Sequence, residues 1–392
     1  MNKKALIKKS FLIIFTLVSF LMVLNNVNAE EFLGVWGSSG NDVFAVGSSL
    51  AASDAVIFHY NGNTWSNMNS GISYVLLRDV WGSSGSDVFA VSLRGSFLLH
   101  YDGNAWVKMN SPLDANKSLY GVWGSSATDV FSVGGTQSTD AVGIIIHYNG
   151  STWSSMSSGT RNTLTDVWGS SGSNVFAVGV SGTILHYNGS SWSSMESGKT
   201  HNLWGVWNSS GSDVFAVGES GIILHYDGSS WSEMESGTSK WLNGIWGSSG
   251  SDVFAVGDSG TILHYDGSSW SIMNSGTTKT LNGIWGNSGS DIFAVGDTVL
   301  HYDGSSWSEM SIEETTSNCT AEELYGEYSE EVELLRYIRD NVFNHTPEGQ
   351  EIIKLYYEWS PVIVKAMEGD EAFKQEVKEM VDGVLGLIGK EE

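Results

Sequence analysis

"GSSGSDVFAVGDSGTILHYDGSSWS" runs from Gly247 to Ser271, and close copies of it occur six more times in the chain. The tryptophan that precedes each copy marks the repeat. Trp36, Trp81, Trp123, Trp168, Trp207, Trp246 and Trp285 are spaced 45, 42, 45, 39, 39 and 39 residues apart. A period near 40 with several short strands per unit is the pattern of propeller blades. In the sixth unit Leu242 to Gly247, Asp252 to Gly257, Thr261 to Tyr265 and Trp270 to Met273 read as four strands, filled with Val, Ile, Phe, Tyr and Trp. The segments between them are Gly, Ser and Asp. Asp266-Gly267 and Asp258-Ser259-Gly260 accept positive φ and reverse the chain.

Strands two and three are apolar on both faces (Val253, Phe254, Ala255, Val256; Ile262, Leu263), as a sheet sandwiched between two neighbours requires. The 3.6-residue period of paired helices is missing. Aromatic residues at fixed spacing exclude a disordered Gly/Ser linker. The fold expected is mainly all-β: a seven-bladed β-propeller of four-stranded antiparallel blades over residues 30–310. Strand one opens the first unit and strand four ends the seventh, so two closures stay open: each blade whole, or one blade shared between the two ends.

The pattern D-V-F-A-V-G-x-x-G-x-I-L-H-Y-[DN]-G-x-x-W, from Leu33 to Met310, resembles the repeats of sialidase-type (Asp-box) and photosystem-assembly-factor-type propellers. Asp266, Gly267 and Trp270 sit where an Asp-box places them, with one residue fewer between Asp and Gly. The resemblance implies architecture and little about activity, since propellers host many functions.

The two ends read differently. Lys3, Lys4, Lys8 and Lys9, the apolar run Phe11 to Leu24 and the small residues Val27-Asn28-Ala29 read as a signal peptide over 1–29. That run is short for a membrane span, so the mature chain is expected to be exported, secreted or at the cell surface, without a span. From Ser311 the composition turns acidic, and apolar residues recur at helix spacing, as in Phe373, Val377, Met380, Val381 and Val384. A small α-helical domain is expected over 311–392. "LLRYIRDNVFNHTPEGQEIIKLYYEWSP" (Leu334 to Pro361) resembles the CFI-box C-terminal domain of exported bacterial and archaeal proteins, with its namesake tripeptide degraded to Cys319-Thr320-Ala321. Cys319 is the only cysteine, so an intrachain disulfide is excluded and stability must come from packing.

The formal net charge is −25, and loss of the four leader lysines takes it to about −29. Such a field repels nucleic acid, which is excluded as a partner. One histidine per blade (His59, His100, His147, His186, His225, His264, His301) invites a metal reading. Equivalent positions on neighbouring blades lie about 10 Å apart, whereas ligands must stand about 2 Å from a metal. A hydrogen bond to a turn of the same blade accounts for all seven. The turn acids Asp42, Asp87, Asp129, Asp213, Asp252 and Asp291, with Asn174 in blade four, give one carboxylate per turn. A calcium loop needs several oxygens, so turn capping is expected and no metal or cofactor.

Differences between copies carry the functional reading. Every length change falls on the face that carries the two-to-three turns and the inter-blade links: Ser48 to Ala55, Asn110 to Ser118, Gly135 to Val142 and Asp297-Thr298. Basic residues follow the same face: Arg78, Arg94, Lys117, Arg161, Lys199, Lys240 and Lys279, with only Lys108 elsewhere in the propeller. Tyr74, Tyr120, Trp204 and Trp241 join them. Three residues before each marker Trp the copies read Leu33, Arg78, Tyr120, Thr165, Trp204, Asn243 and Asn282, seven dissimilar side chains brought toward one axis.

Loops on a rigid scaffold concentrate binding residues. The candidate ligand-binding set is Arg78, Arg94, Tyr120, Arg161, Lys199, Trp204, Lys240, Trp241, Asn243 and Asn282, suited to a sugar or an acidic peptide. The expected function is non-catalytic binding or scaffolding of a protein or polysaccharide at the cell surface; a lectin-like propeller is the alternative. A sialidase-like hydrolase is the weaker alternative, because Arg78, Arg94 and Arg161 are not joined by a Tyr–Glu pair or a poised acid.

Overall fold

The computed structural model describes residues 30–49, 55–68, 70, 72, 75–93, 95–136, 142–312, 374, 375 and 378. The signal peptide, Arg94, Tyr74, Cys319 and the CFI-box resemblance therefore lie outside the described residues. Among the C-terminal residues expected to be helical, Lys374, Gln375 and Lys378 are described and are helical. No helix among the described residues is long and apolar enough to cross a membrane.

Seven sheets stand side by side, each a four-stranded antiparallel meander with its strands in sequence order. The sixth blade comprises Leu242–Ser249, Asp252–Gly257, Ile262–Tyr265 and Trp270–Met273. Tyr265 faces Trp270 across the last turn. There Gly267 has φ +88°, and Asp266 Oδ1 accepts the amides of Ser268 and Ser269. The Ser268 hydroxyl, and then those amide bonds, lower the Asp266 carboxyl to about 2.

The innermost strand of the first blade, Glu30–Ser39, packs against that of the second, Leu77–Ser84, and that of the seventh, Leu281–Ser288. The ring therefore closes. The first blade keeps all four of its own strands, so closure rests on side-chain packing with no exchanged strand.

The seams are apolar and repeated. The phenylalanine of each second strand is at most 2% exposed. In five seams its ring meets the outer-strand tryptophan of the next blade edge to face, as Phe44 meets Trp106 at 6.3 Å and Phe131 meets Trp192 at 6.1 Å. The marker tryptophan fills the rest of the seam by lying against a glycine of the next blade. A Cβ built on Gly82 would stand 2.6 Å from the Trp36 ring, one on Gly124 2.6 Å from Trp81, and one on Gly247 2.7 Å from Trp207.

Blade five breaks the rule. Asn208 stands where the other six blades have Gly, so Trp168 finds no cradle. It leans on Trp123 instead, with ring centroids 6.3 Å apart, and is half-buried where most of its counterparts are buried. Asn208 is 5% exposed, yet neither Nδ2 nor Oδ1 has a hydrogen-bond partner. An unmet buried amide costs about 1–3 kcal/mol, against about 0.5–1 kcal/mol for glycine's extra chain entropy. Asn208→Gly should therefore stabilise the protein by roughly 1–2 kcal/mol, read as a higher melting temperature with Trp168 emission shifted to the blue. An unchanged or lower melting temperature would show that Asn208 is not the misfit.

Candidate axial binding site

The innermost strands line the ring's axis, and a local irregularity decides which side chains reach it. In all seven, the pairing with strand two skips one residue near the start: Leu33, Arg78, Tyr120, Thr165, Trp204, Asn243 and Asn282. Each is a β-bulge. A bulge leaves one residue without a ladder partner and re-aims its side chain. All seven variable positions line the central channel, and in five blades the following residue does too.

At that following position five blades carry Gly: Gly34, Gly121, Gly205, Gly244 and Gly283. Blades two and four carry Asp79 and Asp166 instead. Crowding explains why the acids are separated. A Cβ on Gly34 would stand 2.8 Å from Asp79 Cα, and one on Gly121 would stand 2.9 Å from Asp166 Cα. The blade that precedes an acid therefore cannot carry a side chain at this position without a backbone shift.

The channel wall is held by bonds that cross the seams. Asp79 Oδ2 accepts from the Val122 amide and Asp166 Oδ2 from the Val206 amide, both at 2.8 Å. Arg78 donates to the Leu33 carbonyl at 3.2 Å, and Thr165 Oγ1 donates to the Leu203 carbonyl at 2.7 Å. Asn243 Nδ2 donates to the Leu281 carbonyl and Asn282 Nδ2 to the Phe32 carbonyl, each at 3.0 Å. Among the described residues neither carboxyl forms an ion pair. Burial raises Asp79 to about 6. Burial, and then the negative charge of Asp79, raise Asp166 to about 8. Backbone amides and the charge of Arg78 oppose both shifts without cancelling them. The two carboxyls thus retain a proton near neutrality.

At the link-side rim Trp204 and Trp241 stack, with centroids 6.0 Å apart and planes 27° from parallel. Trp241 is 46% exposed.

The ten-residue set expected to bind ligand divides on this geometry. Arg78, Tyr120, Trp204, Asn243 and Asn282 line the channel, and Trp241 flanks it through Trp204. Arg78 and Trp204 sit in strands, the second residues of Leu77–Ser84 and Leu203–Ser210, rather than on links. Lys199 is engaged by Glu233 on the outer strand of the next blade, as Lys279 is by Glu309 at 3.0 Å. Lys117 stands 3.5 Å from Asp114. Arg161 and Lys240 are exposed on links and do not line the channel. The basic residues therefore share a face without forming one cluster. Asp79 and Asp166, absent from the candidate set, are at the axis. Their signal is a charged residue in a position that is otherwise Gly, legible as Arg78-Asp79-Val80-Trp81 and Thr165-Asp166-Val167-Trp168 beside Asn243-Gly244-Ile245-Trp246.

The repeated histidines are occupied within their own blades. Nε2 of His59, His100, His147, His225, His264 and His301 bonds the turn aspartate at 2.6–2.8 Å. His186 donates to Asn174 Oδ1 at 2.7 Å, and burial holds it below the usual histidine range. Each ring also lies against the strand-two Phe, with centroids 4.4–4.6 Å apart. The second aspartate oxygen accepts from a serine four residues earlier, as from Ser83 and Ser125 at 2.5 Å, except at Asp291, where Asn287 Nδ2 is the donor at 3.2 Å. This Ser–Asp–His chain ties the hairpin between strands one and two to strand three. Capping and histidine anchoring are one device.

No protein-family model and no curated protein matches the chain. The ring does match solved structures. Ycf48 bound to D1 peptide is 15% identical, covering 71% of this chain and 95% of that one at a TM-score of 0.57. Ycf48 from Cyanidioschyzon merolae is 13% identical, covering 71% and 97% at 0.55. Virginiamycin B lyase from Staphylococcus aureus is 12% identical, covering 70% and 94% at 0.58. The chain is a seven-bladed β-propeller, structurally like Ycf48, a photosystem assembly factor, and like this lyase. At these identities the likeness is one of fold.

Proposed function

We propose that this protein is an exported, non-catalytic binding propeller that takes a polar ligand or protein partner at the link-side mouth of its axial channel. The observation that carries the reading is the convergence there of seven dissimilar bulge residues on a scaffold that otherwise repeats nearly word for word. The Ycf48 structure that holds a peptide supports binding as a use of this fold. Trp241, exposed and stacked on Trp204, supplies flat apolar surface beside it.

A lectin-like reading has its own observation. Equivalent grooves of about 400–500 Å³ lie between the two-to-three turn and the outgoing link of blades five and four, edged by Gly221 and Ser236 in one and by Gly182 and Ser197 in the other. Repeated grooves would bind several copies of a sugar; the axis would bind one ligand.

Calorimetry against glycan and peptide panels separates the two by stoichiometry. One site per chain, with tryptophan quenching and a loss of about 2 kcal/mol or roughly thirtyfold in Kd for Trp204→Ala, is the result expected. Several equivalent sites indifferent to Trp204 would transfer the function to the grooves, and no binding in any panel would remove both.

A further inference from the structure

We infer that the axial channel is built to receive a primary ammonium group of a partner protein, a lysine side chain or a chain N-terminus, between Asp79 and Asp166. The inference rests on the binding role proposed for the channel mouth and specifies its ligand chemistry.

Size comes first. The cavity is about 90 Å³, room for about three waters at 30 Å³ each. An engineered cavity of about 150 Å³ takes benzene, so a pyranose ring is too large to lie wholly within the channel, whereas a slender alkyl chain with a compact head fits. An ammonium is such a head; a guanidinium is broader and planar.

Hydrogen-bonding capacity comes second. Thr165 and both asparagine Nδ2 groups spend their donors on carbonyls of the next blade, which leaves the Tyr120 hydroxyl and the buried Trp204 Nε1 as the channel's unbonded neutral donors among the described residues. What remains facing the axis is rich in acceptors: the carboxyl pair, plus Oδ1 of Asn243 and Asn282, for which no hydrogen bond is formed among the described residues. A group with three donors and no acceptor meets that need.

Charge comes third. Among the described residues Arg78 is the channel's only cation, and it donates to the Leu33 carbonyl instead of pairing with either acid. Two buried carboxyls in a strongly acidic protein are left without an ion pair, and Asp166 keeps its proton near neutrality as compensation. An incoming ammonium replaces that proton, which leaves to solvent, and forms the missing ion pair. The stacked indoles at the rim add an independent attraction, since tryptophan faces bind cations within about 6 Å.

The pH dependence has a definite sign. The ionisable groups facing the axis are Asp79, Asp166, Arg78 and Tyr120. An alkylammonium stays charged across the range concerned, so only the host changes. Below the raised values of the pair, about 6 and about 8, the carboxyls are protonated and must lose a proton to bind. Affinity therefore rises with pH from 5 to 8, by up to about tenfold per unit for each proton displaced.

The probe is n-pentylammonium, with n-pentanol as its uncharged twin, titrated into the full chain and followed by tryptophan emission and calorimetry. The expected result is ammonium-selective binding that strengthens with pH and releases protons. Asp166→Asn keeps an acceptor for the Val206 amide; it should weaken binding at pH 8 at least tenfold and flatten the profile above pH 6. Equal responses to amine and alcohol, or a flat wild-type profile, overturn the inference without any variant, so a poorly folding Asp166→Asn does not shield it. Trp204-dependent binding of an uncharged ligand with a flat profile would sink the ammonium reading and leave the binding face standing.

Discussion

Phe293→Ala should lower the unfolding free energy by about 3–5 kcal/mol, the cost of a buried Phe reduced to Ala in a core that cannot collapse around the gap. Phe293 is 1% exposed in the seventh blade. Its ring meets Tyr60 at 5.7 Å and Trp65 edge to face at 6.3 Å, both in the first blade. Phe131, in the middle of the chain, holds the corresponding position against Tyr187 and Trp192. In a closed ring the two substitutions cost the same. In an open stack the seventh blade would lack the neighbour that Phe293 packs against, and Phe293→Ala would be much the milder. The comparison matters because no exchanged strand locks the ends. The seam between blades seven and one is held by Phe293, by Trp285 against Gly37, and by Asn282 donating to the Phe32 carbonyl. Chemical denaturation of both variants, with m-values to confirm that the same surface unfolds, decides it. A Phe293→Ala loss under 1 kcal/mol beside a full-sized Phe131→Ala loss would mean that the ring is not energetically closed.

Blade number and strand order were legible because each rests on a local, repeated signal: apolar runs of four to eight residues, Asp-Gly turns and a marker tryptophan. The axial positions were legible for the opposite reason, as places where a repetitive text stops repeating. What escaped was relational. The bulge at Arg78 and its counterparts comes from a register between two strands, which no single strand records. Lys199 and Glu233 lie 34 residues apart, so counting basic residues on a face could not show that one of them is already engaged. Asp79 and Asp166 are visible in the sequence as departures from Gly, but their burial at the axis depends on the bulge one residue earlier. Asn208 likewise hides behind a mild change, Gly to Asn, whose cost appears only when the neighbouring tryptophan is in place. Repeats announce a scaffold readily; the function sits in exceptions whose meaning depends on the adjacent blade.

Gly82→Ala tests the adjacent-blade dependence directly, and it should cost about 3 kcal/mol, the upper part of the range for overpacking. The added Cβ would stand 2.6 Å from Cζ3 of Trp36 and 2.8 Å from the Asp87 carbonyl oxygen. The carbonyl belongs to a strand and cannot retreat, so the tryptophan must. Blade four shows the consequence: Trp168, facing Asn208, still packs against the core but is only partly buried. Trp36 driven the same way gives up much of the burial that keeps it 8% exposed, and its emission should shift to the red as the melting temperature falls. Gly205→Ala is the control in the same kind of strand. Its nearest neighbours would be methyl carbons of Val217 and Ile245 at 3.3 Å, which yield by a few tenths of an ångström, and the chain-entropy gain of about 0.4–1 kcal/mol offsets the strain. The inner strands thus divide into glycines that cradle a tryptophan and glycines that only clear the axis. Should Gly82→Ala and Gly205→Ala melt together, the cradle is not what holds the blades in register.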